Sequence, residues 1–242
     1  MNLIKFIANK PWLNKESANV PTTAIGNNVP KWYKDGDRFY KSPDGKYVKD
    51  PMLGGKIPTW KACPAIYDIL TSGYVLKTPC DIKISLVNGK PKAEVLDSRF
   101  ETFLQERTAM PGFEVPHGYH KDHFAFFSFW GVQTPKGYSV IYSHPFNRYD
   151  LPFLSTNGII DNDSVSLPGS LPFFVKTGWE GVIPAGTPYI QLIPFKREDW
   201  SSEIVEGSPL EIHKANVNNS KKFRVPDGGV YQTSVWTRRK YS

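Results

Sequence analysis

Long apolar runs are missing from this chain. No stretch reaches the roughly 20 consecutive apolar residues that cross a bilayer, so a membrane-spanning protein is not expected. The opening Met1-Asn2-Leu3-Ile4-Lys5-Phe6-Ile7-Ala8 lacks the apolar core of a secretory signal, which points to a cytoplasmic protein or one carried in a particle assembled there. Cysteine is scarce. Cys63 and Cys80 are the only two, and neither their spacing nor their neighbours suggest a redox pair or a zinc knuckle. Both are expected to be reduced, buried, small side chains. Acidic residues are outnumbered, 23 against 30 Lys and Arg, for a net charge of +7. The excess gathers at Lys221-Lys222-Phe223-Arg224 and Arg238-Arg239-Lys240, with no zinc-finger or helix-turn-helix pattern beside it. The charge therefore reads as solvated surface plus a basic tail rather than a nucleic-acid interface.

Turn-formers and aromatic residues are abundant. The 21 Pro and 19 Gly make long helices hard to place, while aromatics at 14% suit strands. The predicted fold is all-β, with few short helices and extended N- and C-terminal arms. Three regions follow: an N-terminal arm with a small hairpin (1–59), a β-barrel or jelly-roll domain (60–200), and a C-terminal extension with the basic tail (201–242).

Residues 3–7 can form a first strand. Residues 8–36 show no periodicity and read as an extended arm held by Trp12, Trp32 and Tyr33. Such an arm wraps its own barrel or crosses to a neighbouring subunit. Ser42-Pro43-Asp44-Gly45 is a turn between Arg38-Phe39-Tyr40 and Lys46-Tyr47-Val48, hence the small hairpin, and Gly54-Gly55 is a break. Apolar runs at Ile66–Leu70 and Tyr74–Leu76 flank Thr71-Ser72-Gly73. Ile82, Ile84 and Leu86 alternate with polar residues up to Asn88-Gly89, which predicts a half-buried hairpin returning through Ala93 and Val95. Residues 98–108 fit either a short helix or a strand. Phe124–Trp130 reads as a strand buried on both faces, paired through the 133–137 turn with Tyr138–His144. Lys196–Trp200 is expected to begin a short helix, and the chain beyond Gly207 a second extended tail.

The stretch from Pro135 to Arg197 carries the chemistry. Gly158-Ile159-Ile160-Asp161-Asn162-Asp163 sets two carboxylates after an apolar pair. Pro184-Ala185-Gly186-Thr187-Pro188 leads into Tyr189-Ile190-Gln191-Leu192-Ile193, which places one amide inside an apolar strand. These two turns resemble the trimeric dUTPase and dCTP deaminase superfamily, where a G-V-I-D-x-D-Y turn supplies a catalytic Asp and a later G-x-x-I-A-Q-L-I segment supplies a triphosphate-holding Gln. Asp161 and Asp163 match the first motif; Gly186 and Gln191 match the second. Pro135-Lys136-Gly137-Tyr138 and His144-Pro145-Phe146-Asn147-Arg148 stand where the family has its P-R-S-G segment, without the Ser. Ser164 replaces the Tyr, no Arg-Gly-Glu follows, and Asp227-Gly228-Gly229 is short of the family's Gly-rich closing motif. Trp179-Glu180-Gly181 resembles the deaminase G-W-x-G turn, or is simply a turn with a packed Trp. The HPFNR, DLPF and IPFKRE segments also resemble phage-encoded proteins, which implies a host-cytoplasmic or virion location.

Two functions follow from these resemblances. The first is a non-catalytic assembly or binding protein on a dUTPase-like fold, a virion structural component that forms homo-oligomers, for which the family resemblance implies trimers, and contacts other assembly proteins. It needs no cofactor. The alternative is a dUTP-like nucleotide pyrophosphatase with a remodelled pocket. There Asp161 and Asp163 act on a water with Mg²⁺, and Gln191, Arg148, Asn147 and Gly186 hold the ligand. Against that stands a simpler role for the two Asp residues, bonding their own turn backbone. His117, His120 and His123, with His144 and Asp122 nearby in sequence, fit either a metal site or an exposed polar loop; converging all three requires a loop, since i and i+3 of a strand face opposite ways.

Overall fold

The computed structural model describes residues 2–8, 19–26, 29–51, 55–107, 114–166, 169–224 and 234–242, without the side chains of 219–224. Trp12, Gly54, Val225, Val230 and the Asp227-Gly228-Gly229 run lie outside the described residues. The chain divides into two compact units. One comprises residues 1–28, 72–197 and 241, the other residues 29–71, 198–240 and 242.

The first unit holds fourteen described strands. They are β1 (Lys5–Ile7), β2 (Thr22–Thr23), β3 (Tyr74–Lys77), β4 (Ile82–Val87), β5 (Lys90–Val95), β6 (Leu104–Arg107), β7 (Tyr119–Phe127), β8 (Gly131–Gln133), β9 (Tyr138–Ser143), β10 (Phe153–Ser155), β11 (Gly158–Ile160), β12 (Ser170–Lys176), β13 (Gly181–Ile183) and β14 (Pro188–Lys196). All pairings between them are antiparallel, and the protein is all-β. A five-stranded sheet runs β11-β9-β14-β3-β2 and a four-stranded sheet β10-β12-β7-β6. A three-stranded sheet, β13-β4-β5, and the β1-β8 pair complete the unit.

The alternation of β7 and β12 explains the core. Phe124 and Phe126 face the same way as Phe173, which pairs with Phe124 across the ladder. Phe126 stacks on Phe173 with centroids 3.8 Å apart and reaches Tyr189 of β14 at 4.6 Å, so the two larger sheets share one hydrophobic core. Burying one such ring contributes about 1.5–3 kcal/mol. On the other face of the same strands His123 stacks on Phe174 at 5.2 Å. The predicted two-faced burial holds over Phe124–Phe127, where β7 ends, while Ser128–Trp130 lie beyond the strand; the predicted 82–95 hairpin is β4-β5, turning at Asn88-Gly89.

Several expectations are corrected. Phe124–Trp130 does not pair with Tyr138–His144. β7 and β9 belong to different sheets, because the intervening residues form β8, which β1 recruits instead. The 98–107 stretch is both options in turn, a 3-10 segment over Ser98–Phe103 running into β6. No helix begins at Lys196: β14 extends to that residue, and the Arg197 N–H is held extended by the Gly137 carbonyl at 2.9 Å. Within the predicted N-terminal arm, β2 pairs with β3.

The second unit contains α1 (Lys31–Asp35), α2 (Pro64–Thr71) and α3 (Pro209–Arg224). Tyr33 on α1 is buried, as expected of an anchor, whereas Trp32 is 38% exposed. The 42–46 turn closes a bridge between Lys41 and Tyr47, the small hairpin in its shortest form. Ile66–Leu70 is helical, not extended: Pro64 opens α2 where its missing N–H costs nothing. Pro209–Arg224 is helical, where an extended tail was expected. Ser208 and Glu211 form a reciprocal capping box, with the Glu211 N–H donating to the Ser208 hydroxyl at 3.3 Å and the Ser208 N–H donating to the Glu211 carboxylate at 3.1 Å. The terminal segment returns to α2, where the Trp236 indole N–H donates to Asp68 at 3.0 Å and Arg239 pairs with the same carboxylate. Cys63 is exposed, not buried as expected; Cys80 is buried, and burial pushes its thiol up to about 11.

Candidate functional site

Asp161 and Asp163 leave the end of β11 in a turn that Arg197, just past β14, clamps. The guanidinium Nη1 lies 3.0 Å from an oxygen of each carboxylate, and Nη2 bonds the second oxygen of Asp163. The Ser139 hydroxyl donates to Asp161 at 2.6 Å, and the Gly137 N–H donates to Asp163 at 2.8 Å. The Ser139 bond, followed by Arg197, holds Asp161 below the usual carboxylate range. Asp163 is held further below it, first by Arg197 and then by the Gly137 amide. Between them Asn162 turns inward, its amide donating to the carbonyls of Val132 and Val165, both at 3.1 Å. The motif thus ties β8, β9, β11 and the end of β14 together.

Gln191 is 2% exposed in the middle of β14. Its amide donates to the Ser72 carbonyl at 2.7 Å, and its carbonyl accepts the Phe146 N–H at 3.1 Å. The second bond anchors the His144-Pro145-Phe146-Asn147-Arg148 turn. His144 secures the same turn: its Nδ1 accepts the Ser155 N–H at 3.3 Å while Nε2 faces the Arg148 carbonyl at 3.4 Å. Burial pushes this imidazole below its ordinary value. Asn147 adopts the left-handed conformation, φ 57°, and its side-chain oxygen accepts the Tyr149 hydroxyl at 2.9 Å.

That turn forms one wall of a cleft of about 480 Å³. Arg148, 13% exposed, makes a two-pronged pair with Asp150, 2.9 Å at both contacts. A second wall is the turn after β12, bearing Lys176 and Trp179, where the Gly178 N–H donates to His120 at 3.4 Å. The third wall is Pro184–Pro188, pinned at three points. Ala185 N–H donates to Asp81 at 2.7 Å, Gly186 N–H to the Thr78 carbonyl at 2.8 Å, and the Thr78 hydroxyl to the Pro184 carbonyl at 2.8 Å. All three walls are held by bonds to the surrounding sheets, so the cleft is preformed.

The structure therefore divides the sequence-predicted residues. Arg148 and Gly186 line the cleft; Asn147 orients Tyr149 within it; Gln191 stands behind it as an anchor; neither Asp161 nor Asp163 lines it. His120 and His123 lie on β7, a strand and not a loop, three positions apart. His123 is buried against Phe174, His120 meets Gly178, and His117 is exposed ahead of the strand. His144 is committed to its own turn. Among the described residues no three His, Cys, Asp or Glu side chains form a group able to hold a metal ion, and no helix is long and apolar enough to cross a membrane. Sequence reasoning overlooked Lys176, Tyr149 and Arg197. A lysine at a strand end just before Gly178-Trp179, and a tyrosine between Arg148 and Asp150, are the signals that could have found the first two. No protein-family model matches the chain, and no curated protein proved similar to it.

Proposed function

We propose that this chain is a non-catalytic binding and assembly protein on a dUTPase-like β fold, encoded by a phage and built into or onto its particles. The observation that carries the reading is the Arg197 clamp: both candidate catalytic carboxylates are ion-paired to one arginine of the same chain. A water-activating or Mg²⁺-holding carboxylate needs its charge directed at the reacting centre. Gln191 is similarly engaged with Ser72 and Phe146, and Arg148 with Asp150. The assembly part is supported by residues 200–217, where Trp200, Ile204, Val205, Leu210 and Ile212 are all exposed. Apolar side chains gathered in this way favour association.

The deciding experiment measures pyrophosphate release from canonical and deoxynucleoside triphosphates with Mg²⁺, for the native chain and Asp161→Asn. No turnover is expected. Turnover that vanishes in the variant would overturn the reading in favour of the pyrophosphatase. Recovery of the protein from purified phage particles tests the assembly part, which fails if the protein is found only outside them.

A further inference from the structure

We infer that the cleft between the 144–151 turn and the 184–188 turn is a binding site for an acidic sugar, a saccharide ring carrying a single carboxylate. The inference rests on the binding-protein reading and gives it a ligand class.

Charge sets the first limit. Two cations line the cleft, and Arg148 is already balanced by Asp150 in a two-pronged pair. Lys176, exposed at the end of β12, has no ion-pair partner among the described residues. The cleft thus offers one uncompensated positive charge, enough for one carboxylate. A triphosphate would bring several negative charges and leave most of them unmatched, next to the Asp150 carboxylate.

Surface chemistry sets the second. Trp179 and Tyr149 both line the cleft, and Tyr149 is 78% exposed although its hydroxyl is pinned to Asn147. A large aromatic ring held out in water at the edge of a rigid cleft is a ready contact face. Aromatic rings combine a broad apolar face with a polar handle, a match for a pyranose, whose C–H bonds form apolar faces and whose hydroxyls ring its edge. Gly181 has no side chain where a Cβ would come within 3.0 Å of the Trp179 ring, so the indole keeps its place. For the sugar hydroxyls the cleft offers Thr187, whose hydroxyl donates to the Pro184 carbonyl at 2.6 Å and so presents its oxygen as an acceptor, and the Asp150 carboxylate, 47% exposed. The volume, about 480 Å³, falls within the roughly 300–1,000 Å³ of small-ligand sites. The bonds that pin all three walls mean that little ordering is required on binding.

The test is calorimetric titration of the full chain with galacturonate and with its neutral counterpart, galactose. It is repeated for Lys176→Gln and Tyr149→Ala, both exposed positions whose folding is checked by circular dichroism. Galacturonate is expected to bind about tenfold more tightly than galactose, and Lys176→Gln to erase that preference. Tyr149→Ala should weaken both sugars by about tenfold. Equal affinity of the native chain for the two sugars, a preference that survives Lys176→Gln, or no binding of either sugar overturns the inference. Failure of the underlying non-catalytic reading shows separately, as nucleotide turnover that Asp161→Asn abolishes, because Asp161 lies outside the cleft.

Discussion

Gln191 shows how much one buried amide can settle. It joins the Ser72 carbonyl to the Phe146 N–H, two backbone groups from distant parts of the chain. Gln191→Leu keeps the approximate volume and strands both groups, at about 1–3 kcal/mol for each. Urea denaturation of the variant should show that loss, and a change below about 0.5 kcal/mol, the scale of ordinary surface substitutions, refutes the anchoring role. His144 adds a pH dependence. Burial lowers its folded pKa below the ordinary value of 6.5, so above that pH both the folded and unfolded imidazoles are neutral and stability is complete. As pH falls below 6.5 the unfolded imidazole takes up a proton that the folded one resists, and stability is lost until pH passes the folded value. Melting temperatures between pH 7.5 and 5 should fall in the native chain and stay flatter in His144→Gln. Asp161 and Asp163 act in a separate window. Their lowered values contribute stability that is present above the ordinary carboxylate value of 3.8 and is lost only as pH falls below it.

At the scale of elements, the entry into β3 has the least tolerance. Gly73 sits at φ 72°, and a Cβ there would lie 1.9 Å from the Leu192 carbonyl oxygen of β14. Gly73→Ala must displace backbone in the centre of the five-stranded sheet. Gly89, in the β4-β5 turn at φ 75°, has open space around it, so Gly89→Ala meets only the left-handed penalty of about 1–2 kcal/mol. Thermal denaturation should place Gly73→Ala well below Gly89→Ala; equal melting temperatures would remove the close approach as an explanation. The C-terminal helix was open to reading at this same scale. Ser208-Pro209-Leu210-Glu211 spells a capping box with Pro at the first helical position, a start signal independent of tertiary contacts. The apolar residues after it are sparse, so periodicity alone points to an extended tail there.

For the molecule as a whole, the aromatic surplus becomes the shared core. Phe126 meets Phe103, Phe153, Phe173 and Tyr189, joining the two larger sheets. Phe126→Ala removes that junction and is expected to cost about 3–5 kcal/mol, read as a large drop in the denaturation midpoint. A cost near 1 kcal/mol would mean that the sheets repack without it. The exposed apolar residues of 200–217 belong to the same scale, as the surface on which the proposed assembly would rest.

The sequence by itself determined that the protein is all-β, where β4-β5 turns, and which strand is buried on both faces. Each of these follows from local periodicity and turn chemistry, which neighbouring residues set. It also marked the 144–148, 158–163 and 184–191 segments as the places to look. Only the tertiary structure decided what those segments do. Asp161 and Asp163 are free carboxylates until Arg197, thirty-four positions beyond Asp163, closes on them. Gln191 is a ligand-holding amide until Ser72, far back in the chain, takes its N–H. Partition into sheets is likewise non-local: β7 and β9 are close in sequence yet lie in different sheets, because β8 finds its partner in β1. A charge or an amide acquires its function from the groups that reach it in space, and an antiparallel fold brings those groups from distant strands.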